Sequence, residues 1–222
     1  MIGGFGMAQV KVGVIVVDVQ GDFTHYKHGS LAVPNTDKAY IEKVEKATRA
    51  LKKAGFPVFA TQDWHPKDHI SFYTNHPGKK PFDVINIDGR TQVLWPPHCI
   101  QKTPGAKILI DNRLFDAIIQ KGIYKNYDCY SGFEDDGGHK TELNDILQKH
   151  KITTLVVYGI ATDYCVKATI IDAVNLGYHV IFVNDLCRGV SKETSRKAIN
   201  EMRTRGVEIW EGLKIEKLKA MK

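Results

Sequence analysis

The stretch VGVIVVDV, residues 12–19, decides the fold. From Val12 to Val17 every residue but Gly13 is β-branched and apolar, with no polar residue alternating between them. A strand with one wet face alternates, whereas a continuous run of this kind is buried on both faces, as in a parallel sheet covered by helices. Asp18 ends the run.

Working outward, strand patterns alternate with helical ones. A helical period runs from about Asp37 to Ala54 and stops at Gly55, and PVFATQD forms a second strand from Pro57 to Asp63. From Trp64 to about Asn112 the chain is rich in proline, glycine and histidine and shows little periodicity. So long an irregular segment inside a compact domain usually carries function. Beyond it lie a short strand, AIIQK, ending at Lys121, a loop to about His139, a helix near Glu142 to Lys149 and a strand, TTLVVYGI, ending at Ile160. The helix TDYCVKATIIDAVNLG follows, with Thr162 as its N-cap and Gly177 as its stop. A strand HVIFVND (179–185), a helix from about Ser191 to Arg205 and a last strand, VEIW, complete the pattern. This order predicts an α/β fold of three αβα layers, with a mostly parallel central sheet of about six strands, helices on both faces and right-handed crossovers.

The 222 residues, 43% of them hydrophobic, suit one domain with a sizeable core. The glycine-rich residues 1–10 are predicted to be a loose leader. The net charge of +6 is spread along helical faces where acids alternate with bases, as in EKVEKATRALKKAG, which describes a solvated surface and not a nucleic-acid footprint. Four cysteines, at 99, 129, 165 and 187, form no CxxC pair and predict individual thiols in a reducing, cytoplasmic setting. The apolar run at 12–19 is short for a signal peptide and carries an aspartate, so no membrane partner is expected.

In parallel sheets the ligand site lies beyond the carboxyl ends of the strands. That rule gathers Asp18, Asp63 with His65, Lys121 and Cys165 on one rim. Each has an ordinary reading alone: a turn former, a loop histidine, a surface lysine, a small core thiol. Four such coincidences at successive strand ends are a different matter. Cys165, near a helix N-terminus with Lys121 beside it, is expected to have a lowered pKa and to act as a nucleophile, with Asp18 carrying its proton. Asp63 and His65 offer two metal ligands in a D-x-H pattern. His98 in WPPHC, His69 and His76 compete to complete the set.

The segments VVDVQGDF (16–23), GSLAVP (29–34), TQDWHPKDHISF (61–72), WPPHC (95–99), KG with DCYSGF (121–133) and GIATDYCVKAT (159–169) resemble the nicotinamidases of the isochorismatase-like cysteine hydrolase superfamily. Their order and spacing span about residues 12 to 190. The resemblance places the catalytic trio on Asp18, Lys121 and Cys165. Lys121 fits better than Lys125, because the family lysine precedes a small residue and stands eight intervening residues before YSxF. The metal ligands fall on Asp63, His65 and His98, with His69 as an extra ligand or supporting partner. Substrate packing falls to Phe23, Trp95 and Tyr130, and the oxyanion hole to the N–H groups of Ala161 and Cys165, beside a cis peptide between Ile160 and Ala161.

The implied cofactor is one divalent metal ion, zinc, with iron or manganese as alternatives. The implied activity is metal-assisted hydrolysis of nicotinamide to nicotinate and ammonia through a thioester, in NAD salvage, with pyrazinamide also accepted. A small-molecule substrate is then the expected partner, and a homo-oligomer is left open. One departure is Gly21, where the family commonly has Asn. Two rivals stand beside this reading: an amidase for another carbamoyl or heteroaromatic amide, and a metal-holding module without turnover.

Overall fold

The first strand, β1 (Val12–Val17), is buried at every position and is hydrogen-bonded on both sides, as its unbroken apolar run requires. The structure, a computed structural model, describes residues 10–221. Of the expected leader, residues 1–9 lie outside the described residues, and Val10 packs against the core.

From β1 the chain enters α1 (Lys38–Lys53), whose N-cap Asp37 accepts the N–H of Tyr40, then β2 (Val58–Asp63). An antiparallel hairpin of β3 (Val84–Ile87) and β4 (Arg90–Val93) follows, then β5 (Ala117–Lys121), α2 (Leu143–Lys149) and β6 (Thr154–Gly159). A π-helical turn over Thr162–Val166 leads into α3 (Lys167–Asn175). The chain continues through β7 (His179–Val183), α4 (Lys192–Thr204), β8 (Glu208–Trp210) and α5 (Ile215–Lys219). Six strands form one parallel sheet in the order β5-β2-β1-β6-β7-β8. Right-handed crossovers place α1 on one face and α2, α3 and α4 on the other, giving the three-layer α/β sandwich. On the α1 side the Thr48 and Tyr158 hydroxyls meet at 2.9 Å, and on the other Tyr178 donates to Asn144 at 2.9 Å.

Three local expectations change. The segment from Trp64 to Asn112 is not wholly irregular, because Asp88 and Gly89, both at positive φ, close the β3–β4 hairpin. Ala161, not Thr162, is the residue that caps the helix carrying Cys165, since the first turn is π-helical and starts one residue earlier in the chain than a cap at Thr162 would allow. The helix α5 was not read from the sequence.

The chain leaves β1 toward β2 and β5 in one direction and returns to β6, β7 and β8 in the other. The switch therefore falls between β1 and β6, and a crevice opens there beyond the strand ends. Register sets what faces it: Val17 pairs with Gly159, and Asp63 with Lys121. Gly159 has φ +135 and lies against the Val17 carbonyl, so no side chain is tolerated where β6 hands over to the turn that carries Cys165.

Candidate active site

Asp18 follows β1 with φ +46, a left-handed conformation that aspartate tolerates better than most residues, and it is fully buried. Its Oδ1 accepts the Thr61 hydroxyl at 2.6 Å, and its own N–H donates to Thr61 Oγ1 at 3.2 Å. Oδ2 lies 3.0 Å from Lys121 Nζ but off the direction of a hydrogen bond, and it has no donor among the described residues. Burial pushes the Asp18 carboxyl above the usual carboxylate range against the pull of Lys121, and the Asp63 charge adds to the rise.

Lys121 closes β5. Its ammonium donates to Asp63 Oδ1 at 2.5 Å, to the Cys129 carbonyl at 2.8 Å and to Cys165 Sγ at 3.5 Å. Burial alone would discharge it, but Asp18 and Asp63 outweigh burial and hold it charged, well above the ordinary lysine value.

Cys165 is the fourth residue of the π-helical turn, buried, with Sγ in one cluster with the carboxylates of Asp18 and Asp63. The expected lowering of its pKa is overturned. Burial raises the thiol well above its ordinary value, and although Lys121 pulls it down, the Asp18 and Asp63 charges push it further up. These surroundings favour the thiol over the thiolate, with the Asp18 carboxylate close by. Upstream of it, the Ile160–Ala161 peptide is cis. The Ala161 carbonyl accepts the N–H groups of Tyr164 and Val166, both at 3.1 Å, and skips that of Cys165 between them.

Asp63 joins this cluster to a second. Its Oδ2 faces His65 Nε2 at 3.4 Å and His98 Nε2 at 4.0 Å, and the three donor atoms lie within 4.8 Å of one another. Each imidazole is oriented from behind: His65 Nδ1 meets the Gly122 carbonyl at 3.0 Å and His98 Nδ1 meets that of Pro96 at 2.8 Å. A carbonyl only accepts, so each Nδ1 carries a proton and each Nε2 is the ring atom turned toward Asp63. Burial, reinforced by His65, lowers the His98 pKa to about 4. Against burial, the Asp63 charge and hydrogen bond raise the His65 pKa, so a cation would have to displace a proton there; once both Nε2 atoms are deprotonated, two imidazoles and one carboxylate, all buried, fit a divalent cation with positions left over. Gly122, at φ +66, lies so close to the His65 ring that any side chain there would displace it.

His69 stands outside the donor set. Its Nδ1 pairs with Ser71 Oγ at 2.7 Å and its Nε2 with the Tyr127 carbonyl at 3.0 Å, while its ring packs 4.4 Å from that of His65. His76 is likewise engaged, through Nε2, with the Ile70 carbonyl at 2.6 Å. Phe23, Trp95 and Tyr130 line one cavity with His98, Ala161 and Cys165. Trp95 Nε1 donates to the Tyr130 hydroxyl at 3.0 Å. With Asp63, six further residues line the cavity: Leu31, Val33, Asp128, Cys129, Tyr164 and Val190. Leu31 and Val33 lie within GSLAVP, and Asp128 opens DCYSGF, but nothing in those segments alone says which side chains face a cavity. Thr61, which holds Asp18, shares one face of β2 with Asp63 by the strand's period of two.

The buried carboxylate, ammonium and thiol at the switch point of this parallel sheet are the groups that a cysteine hydrolase requires. The chain belongs to the isochorismatase family, whose Isochorismatase domain matches residues 12–211. It is 40% identical to the nicotinamidase of Escherichia coli over 202 residues, 89% of this chain and 93% of that one. Among solved structures, a nicotinamidase and pyrazinamidase from Acinetobacter baumanii superposes with a TM-score of 0.82 at 36% identity, over 96% of this chain and 100% of that one. The pyrazinamidase of Pyrococcus horikoshii in complex with zinc superposes with a TM-score of 0.75, also at 36% identity, over 90% and 98%. No helix among the described residues is long and apolar enough to cross a membrane.

Proposed function

We propose that the chain is a nicotinamide amidohydrolase that releases nicotinate and ammonia, in NAD salvage, with pyrazinamide as a second substrate. The observation that carries this reading is the meeting of Asp18 and Lys121 with Cys165, which lines an aromatic-walled cavity together with His98 and Asp63. The similarity to nicotinamidases and pyrazinamidases over most of the chain supports the choice of amide.

In the proposed reaction Cys165 Sγ attacks the amide carbonyl as its proton passes to Asp18 Oδ2, the oxygen without a donor. Coupling transfer to attack removes the need for a standing thiolate. The developing oxyanion accepts the N–H groups of Ala161 and Cys165. Asp18 then gives the proton to the departing nitrogen, ammonia leaves, and a thioester remains on Cys165. Asp18 next takes a proton from water, whose oxygen attacks the thioester, and returns that proton to the sulfur as the carboxylic acid product departs and loses its own proton to solvent. Lys121 stays charged throughout and holds Asp18, Asp63 and Sγ in register.

Asp63, His65 and His98 would hold one divalent ion, for which we propose zinc. When bound, that ion supplies an electrophilic site for a ring nitrogen or water and so favours a pyridine or pyrazine amide. The single family match over 12–211 supports one catalytic domain, and four free cysteines support a cytoplasmic setting. Ammonia release from nicotinamide tests the proposal, with Cys165→Ala and metal-stripped protein as controls. A folded, metal-loaded protein that releases none overturns the reading, and release untouched by Cys165→Ala overturns the mechanism.

A further inference from the structure

A second cavity lies against the π-helical turn that carries Cys165. Its volume is about 590 Å³, the scale of a small-molecule site, and it shares only Val190 with the catalytic cavity. Four cationic side chains line it, Arg188, Lys192, Arg196 and Arg203, and no aspartate or glutamate does. Arg188 donates only to carbonyls, those of Asn35, Asp185 and Cys187, and Arg203 only to the amide oxygen of Asn200 at 2.9 Å. The side chains of Lys192 and Arg196 have no hydrogen bond or ion pair among the described residues. Acids on the neighbouring stretches are spent elsewhere: Glu193 pairs with Lys197 at 2.7 Å and Glu201 with Lys167 at 3.3 Å. Asp163 and the Ser191 side chain already fill the N-terminus of α4, so the free charge of the groove belongs to side chains and not to the helix end.

Thr162 gives an independent sign of a ligand. It is 4% exposed and lines this groove but not the catalytic cavity. Its N–H is used by the Arg188 carbonyl, yet its hydroxyl meets no partner among the described residues. A polar group so nearly buried is costly to leave unpaired, and an oxygen placed in the groove would satisfy it.

The spacing of the cations says how large the ligand is. Lys192, Arg196 and Arg203 share one face of α4, a stripe of roughly 16 Å at 1.5 Å per residue, and Arg188 joins them from the preceding loop. Guanidinium groups match phosphate oxygens in pairs, and one phosphate is too small to reach along the whole stripe. We propose that this groove is a second ligand site, for a small molecule carrying two phosphate groups, with Thr162 as its uncharged donor. The proposal does not depend on the amidase reading.

Calorimetry on the metal-loaded protein tests it, with inorganic phosphate and fructose 1,6-bisphosphate as probes at constant ionic strength. The bisphosphate is expected to bind once per chain and about tenfold or more tighter than inorganic phosphate, the worth of one further charged hydrogen-bonded group. Arg196→Gln and Arg203→Gln should each weaken it about tenfold, and Thr162→Val about threefold to tenfold with Thr162→Ser restoring most of the loss. The double variant Lys46→Gln/Lys149→Gln removes two exposed charges from α1 and α2 and should stay within about twofold of wild type. Thermal melts confirm that each variant is folded, and the arginine variants decide the matter even if Thr162→Val is not. Four results each overturn the proposal: no saturable binding of the bisphosphate, inorganic phosphate bound as tightly, binding untouched in Arg196→Gln/Arg203→Gln, or an equal loss in Lys46→Gln/Lys149→Gln. Displacement of the bisphosphate by a polyglutamate peptide at lower concentration would make the occupant an acidic protein segment and overturn it as well.

Discussion

The Thr61 hydroxyl donates to Asp18 Oδ1 at 2.6 Å and accepts the backbone N–H of the same aspartate at 3.2 Å. One side chain on β2 thus fixes both the backbone turn and the carboxylate plane, leaving Oδ2 to face Lys121 and the thiol. Thr61→Val keeps the shape and removes the donor. It is expected to lower kcat about 10- to 100-fold, the worth of a hydrogen bond to a charged group, with Thr61→Ser restoring most of it. Ammonia-release kinetics beside thermal melts check this. Wild-type kcat in Thr61→Val would show that the turn alone aims Asp18.

His98 and His69 both pack against the His65 ring, and the metal reading separates them. His98 presents an oriented Nε2 to Asp63, whereas both His69 nitrogens are already engaged. His98→Ala is expected to weaken divalent-ion affinity more than about 100-fold, since loss of a mere supporting partner costs 10- to 100-fold. His69→Gln should leave the metal content of the purified protein unchanged and lower stability instead. Elemental analysis and metal titration distinguish the two, and loss of metal in His69→Gln would return His69 to the ligand set.

The legible parts of the sequence were those where one residue type has one structural consequence. The β-branched run of β1 marks a doubly covered strand, and Asp18, Asp63 and Lys121 are placed because each ends a strand pattern. The β3–β4 hairpin escaped because its period is short and polar, although Asp88-Gly89 is a two-residue hairpin signal. The state of Cys165 was misread for a deeper reason. Its surroundings come from β1, β2 and β5, so the carboxylates that raise its pKa are 102 or more positions away in the sequence and adjacent only in space.

Asp116 ties the start of β5 to β2 and α1. It accepts Lys52 Nζ at 2.6 Å on Oδ1 and the Val58 N–H at 2.8 Å on Oδ2. Partial burial raises its pKa, but Lys52 and the Val58 N–H outweigh that and leave it below the usual value. A folded-state pKa below the unfolded one means stability that is present above the unfolded value near 4 and lost as pH falls through the folded one. Asp116→Asn is therefore expected to cost about 1 kcal/mol at neutral pH, after allowance for solvent screening, and almost nothing at pH 2. Urea unfolding across that range checks it, and a constant difference at all pH values would exclude the charge as the cause.

Asp163 lies two residues before Cys165 in the π-helical turn, and its carboxylate points away from the cavity. Oδ1 accepts the Val190 N–H at 2.9 Å, and Oδ2 accepts the Ser191 N–H at 3.3 Å and the Thr194 hydroxyl. The Thr162 N–H donates to the Arg188 carbonyl at 2.9 Å, so residues 188–194 are clasped at two points to the turn that carries the thiol. Val190 is in the same segment and lines the cavity. Asp163→Ala strands two backbone donors and a hydroxyl and is expected to cost about 2 to 3 kcal/mol of stability. Asp163→Asn keeps the volume but has only one acceptor atom for three donors, so an intermediate loss is expected. If the clasp also fixes Cys165, the rate of thiol alkylation by iodoacetamide should change in Asp163→Asn under conditions where the variant is fully folded. An unchanged rate with reduced stability would confine Asp163 to holding α4 against the turn.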